Sequence, residues 1–212
     1  MTKDLSKAVL RRLPVYLEYL RALPEDAAPN ISATTLANAL GMGDVQVRKD
    51  LATVSDGGRP KIGYNRQRLI GDIEQALGYN NTNDAVLVGA GRLGRALLGY
   101  NGFEEYGLNI LCGFDVDETL IGVTKTGKMI RPFEDFDAFC LDRKVLMGII
   151  TVPAEKAQAI CDRMIACGIR AIWNFAPVHL DVPKGVLVQN ENMATSLAVL
   201  SKHLSAQMRT GK

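Results

Sequence analysis

The chain has 212 residues and a formal net charge of +2, with 47% hydrophobic and 23% charged residues, which suits a soluble globular protein of one large or two small domains. No apolar run approaches the ~18–20 residues of a membrane span. The opening MTKDLSKAVLRRLP also lacks the apolar core and small-residue cleavage site of a secretory signal, so a cytoplasmic protein without a membrane partner is expected.

Cys112, Cys140, Cys161 and Cys167 lie among apolar residues with no CxxC spacing and no His/Cys ligand pattern, so neither disulfides nor a metal site is expected. Charge is unevenly spread. Residues 45–70 hold six bases, Arg48, Lys49, Arg59, Lys61, Arg66 and Arg68, against two acids, Asp50 and Asp56. Residues 81–212 carry 14 of each sign, so the basic excess belongs to the N-terminal part.

An apolar stripe at Val9, Leu10, Leu13, Leu17 and Leu20 predicts a first amphipathic helix, with Pro14 near its start or at a kink. ISATTLANALG offers Ser32 as N-cap, Leu36 and Leu40 on one face and Gly41 as the stop. After MGD, Asp44 is placed to cap the helix VQVRKDLATV. Val47, Leu51 and Val54 share its inner side, while Gln46, Arg48, Lys49 and Thr53 look outward. Two short helices around a glycine turn predict a helix-turn-helix, whose second helix can present Arg and Lys to guanine and Gln to adenine. The following SDGGRPKIGYNRQRL predicts a β-hairpin wing with Arg59 and Lys61 at a basic tip. RQRLIGDIEQALGY reads as a connecting helix and NNTND as a linker, which puts a domain boundary near Asn80.

Ala85–Val88 is an apolar strand followed by Gly89-Ala90-Gly91-Arg92-Leu93-Gly94. In a dinucleotide fold the first glycine permits the tight turn, the second lets pyrophosphate approach the backbone, and the third lets helix and strand pack closely. Free N–H groups at the new helix then face the phosphates, with Arg92 either a counter-charge to the pyrophosphate or a solvated helix residue. A second strand, NILCGFDVD, brings Asp115 to the expected ~20 residues or slightly more downstream, where a carboxylate accepts from ribose hydroxyls. A carboxylate there repels a 2′-phosphate, so the expected ligand is NAD+/NADH rather than the phosphorylated cofactor. VLMGIITVP, AEKAQAICDRMIACG, IRAIWNFAP and GVLVQN continue the strand-helix rhythm of a parallel sheet. Thr151-Val152-Pro153 and Asn174-Phe175-Ala176 fall at strand carboxyl ends, where open α/β sheets bind ligands.

For catalysis the sequence offers little: His179 follows a strand end, His203 sits in the last helix, and no Tyr-Lys pair or nucleophile elbow accompanies them. Met193, Leu197, Leu200, Leu204 and Met208 make an apolar stripe that covers the chain's own sheet or crosses to a twin subunit. Three readings stay open on the residues alone. They are a regulator, a small NAD-dependent oxidoreductase with an N-terminal assembly domain, and a regulatory module for coenzyme A or another nucleotide.

RLPVYLEYL, ISATTLANALG, VQVRKDL, IGY, VGAGRLGRAL, FDVD, TVPAEKAQ and GIRAIWNFAPVHLDVP occur in this order, and through them the chain closely resembles the Rex redox-sensing transcriptional repressors over nearly its whole length. The resemblance implies an α/β chain with three parts. These are an N-terminal winged-helix (helix-turn-helix) domain over 1–80, a Rossmann-type parallel-sheet NAD(H)-binding domain over 81–190, and a swapped dimerisation helix over 191–212. It implies a homodimer on double-stranded inverted-repeat operator DNA, released when NADH replaces NAD+, and not an enzyme. Arg12, Gln46, Arg48, Lys49, Arg59, Lys61 and Tyr64 are then expected to face DNA. Gly89, Ala90, Gly91, Arg92, Leu93, Gly94, Asp115 and Val116 are expected to hold the dinucleotide. Tyr100, Thr151, Val152, Pro153, Asn174, Phe175 and Ala176 are expected to line the nicotinamide end.

Two stretches depart from the family pattern. The wing approach reads TVSDGGRPKIGY rather than a Phe-Gly run, and Asn190-Glu191-Asn192-Met193 puts Asn192 where an acid is usual. Discrimination between the two redox states is expected to be electrostatic. A dry pocket of Val152, Pro153, Phe175 and Met193 of the partner subunit penalises the oxidised, cationic ring.

Overall fold

The computed structural model describes residues 5–81 and 83–210, without the side chains of Met193 and Thr210, so those calls on Met193 and on Thr82 in the linker lie outside the described residues. It divides into two compact units, Met1–Asn81 with Glu105–Gly107, and Thr82–Glu104 with Leu108–Lys212.

In the first unit, α1 (Lys7–Ala22) starts on Ser6, whose hydroxyl accepts the Val9 N–H, and buries Leu13, Tyr16, Leu17 and Leu20. Pro14 lies inside this helix rather than at its start. It deprives the Leu10 carbonyl of its partner, but Leu10 is exposed to water and the buried face offsets the loss. The two-residue strand β1 (Asn30–Ile31) leads to α2 (Ala33–Leu40), which runs from the Ser32 cap to Gly41 at φ 64°. Next comes α3 (Asp44–Val54), with Gly43 rather than Asp44 as its cap. The Asp44 carboxylate instead takes Arg48 and the Thr34 hydroxyl.

The expected wing hairpin is reduced to a single bridge, Arg59 to Gly63, with Lys61 in the left-handed region at φ 65°. Pro60 at the turn has no N–H to extend a ladder. The chain then enters β2 (Tyr64–Asn65), which pairs antiparallel with β1, and α4 (Arg66–Leu77), which packs on α1.

The second unit begins with β3 (Asn83–Val88), α5 (Arg92–Leu98), β4 (Leu108–Asp115) and an edge hairpin of β5 (Gly122–Val123) and β6 (Met129–Pro132). It continues through α6 (Phe136–Arg143), β7 (Met147–Ile150), α7 (Ala154–Ala166), β8 (Ala171–Asn174), β9 (Leu187–Asn190) and α8 (Met193–Thr210). The sheet order is β5-β6-β4-β3-β7-β8-β9, parallel except for β5. Strand order therefore reverses between β3 and β7, the switch point at which such sheets bind ligands. Alternation along β3 sends Val86 and Val88 into one core with Phe114 and Ile150, and Ala85 and Leu87 into the other with Ile110 and Ile149.

All four cysteines join the first of these cores, and burial pushes the Cys140 thiol up to about 12 and the other three to about 11. Among the described residues no His/Cys/Asp/Glu group suits a metal, and no helix is long and apolar enough to cross a membrane.

The first unit turns on a buried carboxylate. Asp50, 2% exposed, accepts two hydrogen bonds from the Arg12 guanidinium at 2.6 and 2.9 Å, one from the Tyr16 hydroxyl at 2.8 Å and one from the Gln46 amide at 2.8 Å. Burial alone would raise the Asp50 carboxyl, but the bonds from Arg12, Tyr16 and Gln46 hold it below its ordinary 3.8. Burial and the bond to Asp50 push the Tyr16 phenol up to about 12.

Removing Arg12 leaves the buried Asp50 carboxylate with only Tyr16 and Gln46 as donors, so Arg12→Ala should cost about 1–3 kcal/mol in urea unfolding of the first unit. The loss should be smaller in an Asp50→Asn background. A carboxyl held low in the fold contributes stability above its unfolded value and loses it as pH falls through the folded one. Wild-type stability followed by circular dichroism should therefore fall as pH drops below 3.8, and Asp50→Asn should flatten that fall.

Candidate dinucleotide cradle and nucleic-acid face

The turn after β3 is set by backbone contacts that only glycine permits. Gly89 has φ 101°, its N–H donates to Phe114 O at 2.9 Å, and an added Cβ would meet the Thr151 carbonyl carbon and the Val152 nitrogen at 2.9 Å. A Cβ on Gly94 would sit 2.0 Å from Gly89 O, so α5 approaches the strand end only because residue 94 has no side chain. Thr151, at the end of β7, closes the third side: its hydroxyl donates to Gly89 O at 2.7 Å and Val88 O at 3.1 Å, and its N–H to Val88 O at 3.0 Å.

Gly91 differs from its neighbours, for a Cβ there would meet nothing within 4 Å. Space lies open beside this backbone, and among the described residues no side chain caps the N–H groups at the start of α5. Asp115, at the end of β4, accepts Ala90 N–H at 2.6 Å on one oxygen and Asp117 N–H at 3.0 Å on the other. A carboxylate has about four acceptor positions, so capacity remains for a pair of ribose hydroxyls. Room at Gly91, free helix donors and an acceptor at Asp115 together fit a pyrophosphate joined to an unphosphorylated ribose.

The other expected cradle residues are placed unevenly. Arg92 and Leu93 are exposed on the first turn of α5, Val116 is exposed beyond Asp115, and Ala90 is buried. At the next strand ends, Val152 is half-buried, Pro153 caps α7 and is exposed, and Phe175 N–H donates to Ile150 O at 2.9 Å. Asn174 is fully buried, and its amide serves Ala176 O, Val178 O, Asn190 Oδ1 and the Ala176 N–H. It therefore shapes from within the loop expected at the nicotinamide end. Ala176 is buried in the same turn. Tyr100 is exposed and stacks edge-on with Phe103 at 4.8 Å.

On the first unit, Lys49 projects from α3 without an ion pair among the described residues, and Arg48 is exposed while bound to Asp44 at 2.9 Å. Arg59 and Lys61 are exposed at the short wing. Three expected DNA-facing residues also make contacts within the first unit, Gln46 while remaining exposed on α3. Arg12 and Gln46 are held by Asp50, and Tyr64 is 8% exposed, its ring packed where a Cβ on Gly58 would lie. The physical reason is the same for the first two, since a buried carboxylate draws every donor within reach. Arg66, counted among the bases of this stretch, is buried too, with its guanidinium on Pro24 O at 2.7 Å.

Two family models match the chain: "CoA binding domain" over residues 80–178 and "Putative DNA-binding protein N-terminus" over 4–52. The redox-sensing transcriptional repressor Rex of Porphyromonas gingivalis is 39% identical over 197 residues, covering 93% of this chain and 90% of its own. That of Clostridium botulinum is 38% identical over 205 residues, 97% of this chain and 98% of its own. Among solved structures, RSP in complex with β-NAD+ and operator DNA is 33% identical with a TM-score of 0.89, covering 98% of this chain and 96% of that one. RSP in complex with β-NADH has a TM-score of 0.87 over 98% of both chains. With this identity over almost the full length of both partners, the chain belongs to the Rex family of redox-sensing transcriptional repressors.

Proposed function

We propose that this chain is a transcriptional repressor that binds operator DNA through its first unit and lets go when NADH replaces NAD+ in its second. The observation that carries this reading is the glycine cradle with Asp115 at the switch point, in a chain that also holds an exposed basic helix and wing. RSP has been solved with NAD+ and operator DNA and with NADH.

Lys49, Arg48, Arg59 and Lys61 are the residues we assign to DNA contact. Arg12 and Tyr64 act from behind by fixing α3 and the wing, while Gln46 is exposed on α3 and oriented there by its bond to Asp50. Gly91 and the first turn of α5 take the pyrophosphate, Asp115 takes the adenosine ribose, and Val152 and Phe175 wall the nicotinamide end. There the dinucleotide supplies a ring that is cationic when oxidised and neutral when reduced. Half-buried apolar walls penalise the cation by desolvation, so NADH binds more tightly. Tight binding alone shifts nothing, because a 1:99 population reverses to 99:1 only with ~10⁴-fold discrimination between the two arrangements.

The working unit we assign is a homodimer. Leu197, Leu200, Leu204 and Met208 on α8 are each more than half exposed, and an inverted-repeat operator calls for a two-fold reader. The reading is of a regulator rather than an oxidoreductase.

Fluorescence anisotropy of a labelled inverted-repeat duplex at fixed salt tests the whole reading. Low NADH should release the DNA, NAD+ should not, and NADPH and coenzyme A should be weak. Release by coenzyme A alone would move the ligand assignment, and hydride transfer to a metabolite at enzyme-like rates would replace the reading with an enzyme. Gly91→Ala should fold normally and bind operator, yet lose at least about tenfold in NADH affinity, because the new methyl occupies the approach to the backbone. Lys49→Ala should weaken operator binding by ~1–3 kcal/mol if the amine reads a base. An equal loss on random duplex, with a salt slope reduced by about 1, assigns it to phosphate instead.

A further inference from the structure

The three residues that lead into α8 are each hydrogen-bonded in a way that ties the helix root to the end of β8. Asn190 pairs with Asn174 in the sheet, and its side-chain oxygen accepts the Asn174 amide at 2.8 Å. Glu191 N–H donates to Asn174 O at 2.8 Å. Asn192 caps α8, its side-chain oxygen accepting the Ala194 N–H at 3.0 Å and the Thr195 N–H at 3.3 Å.

Besides the Asn174–Asn190 bond, a second side-chain bond joins this run to the ligand end of the sheet. The indole N–H of Trp173 donates to Glu191 Oε1 at 2.9 Å. Trp173 is the chain's single tryptophan, and its ring meets Phe175 at 4.8 Å and Phe103 at 5.5 Å, Phe103 in turn meeting Tyr100 at 4.8 Å. Two residues expected at the nicotinamide end, Phe175 and Tyr100, are thus the outer members of one aromatic row. Of its two inner members, Trp173 is tethered to the residue two positions before α8.

We infer that Glu191 is a positioning residue for the dinucleotide response. Through its bond to Trp173 it converts a shift of the aromatic row into a change in how the root of α8 is held. This rests on the reading that the second unit binds NADH. The bond suits the task because a half-buried indole N–H needs one acceptor and the carboxyl is the one it has among the described residues. Coupling also needs an element that both ends can bias. Here the row answers to whatever lies against Phe175, and α8 to the residue that precedes its cap.

The test compares full-length wild type, Glu191→Val, Glu191→Gln, Trp173→Phe and the Trp173→Phe/Glu191→Val double variant. NADH affinity is read from NADH fluorescence, and the NADH midpoint for operator release from anisotropy. Glu191→Val should bind operator as wild type does and bind NADH within about threefold of it, yet need roughly tenfold more NADH for release. Glu191→Gln keeps an acceptor and should restore the release midpoint. Trp173→Phe keeps the ring contacts and loses the donor, so it should match Glu191→Val, and the double variant should be no worse than either.

A Glu191→Val release midpoint equal to wild type overturns the proposal. So does a midpoint that shifts only as far as NADH affinity shifts, which is what a merely structural role produces. Independent, additive losses in the two single variants overturn it as well. If wild type itself ignores NADH, the ligand reading fails in that control, visibly apart from any variant, and the coupling role falls with it.

Discussion

Gly89 is the point on which the second unit's architecture rests. Its N–H is spent on the end of β4, its carbonyl receives the Thr151 hydroxyl from the end of β7, and Gly94 of α5 presses against that same carbonyl. Three strand ends and a helix therefore meet at one residue, and the positive φ that lets them meet disfavours any side chain at residue 89. The open backbone at Gly91 and the placement of Asp115 are consequences of that junction, since both sit on chain leaving it. A ligand cradle at a switch point is rigid because its floor is also the packing node of the sheet.

Asp50 serves the first unit in the same way, although by charge rather than by close approach. A carboxylate with 2% exposure is tolerable only with several donors, and it collects them from α1 and from α3 itself. The result fixes the outward-facing helix to the helix behind it, and leaves Lys49 and the wing free of structural duty. Holding α3 from the rear leaves its outward side, with Arg48 and Lys49 exposed, as part of the basic surface.

Local patterns in the sequence were legible and long-range partnerships were not. Dense apolar runs such as Ala85–Val88 and cap signals such as Ser32 and Gly41 announce their elements, because each is decided by a few adjacent residues. Pro14 misleads, since propensity yields to a buried face in tertiary context. The hairpin of β5 and β6 and the short α6 have no periodicity to detect: Val123 and Met129 are exposed, and the strands are two and four residues long. In the cradle, the glycines and Asp115 could be read from spacing alone. The Thr151 hydroxyl reaches a carbonyl 62 residues away, and Arg12 reaches Asp50 38 residues away. Neither partnership has a signature in sequence, and the second turns the Arg12 and Gln46 side chains toward a buried carboxylate, although Gln46 itself stays exposed on α3.

The four cysteines carry a consequence of a different kind. With thiols pushed to about 11 or 12 by burial, about one in ten thousand or fewer is ionised at pH 7, and peroxide and alkylating reagents act on thiolates. The folded chain is therefore nearly blind to the oxidants that most sulfur-based regulators detect. Any modification of these residues records that the core holding them has opened, so mass-labelling of the cysteines serves as a clock for unfolding of the second unit.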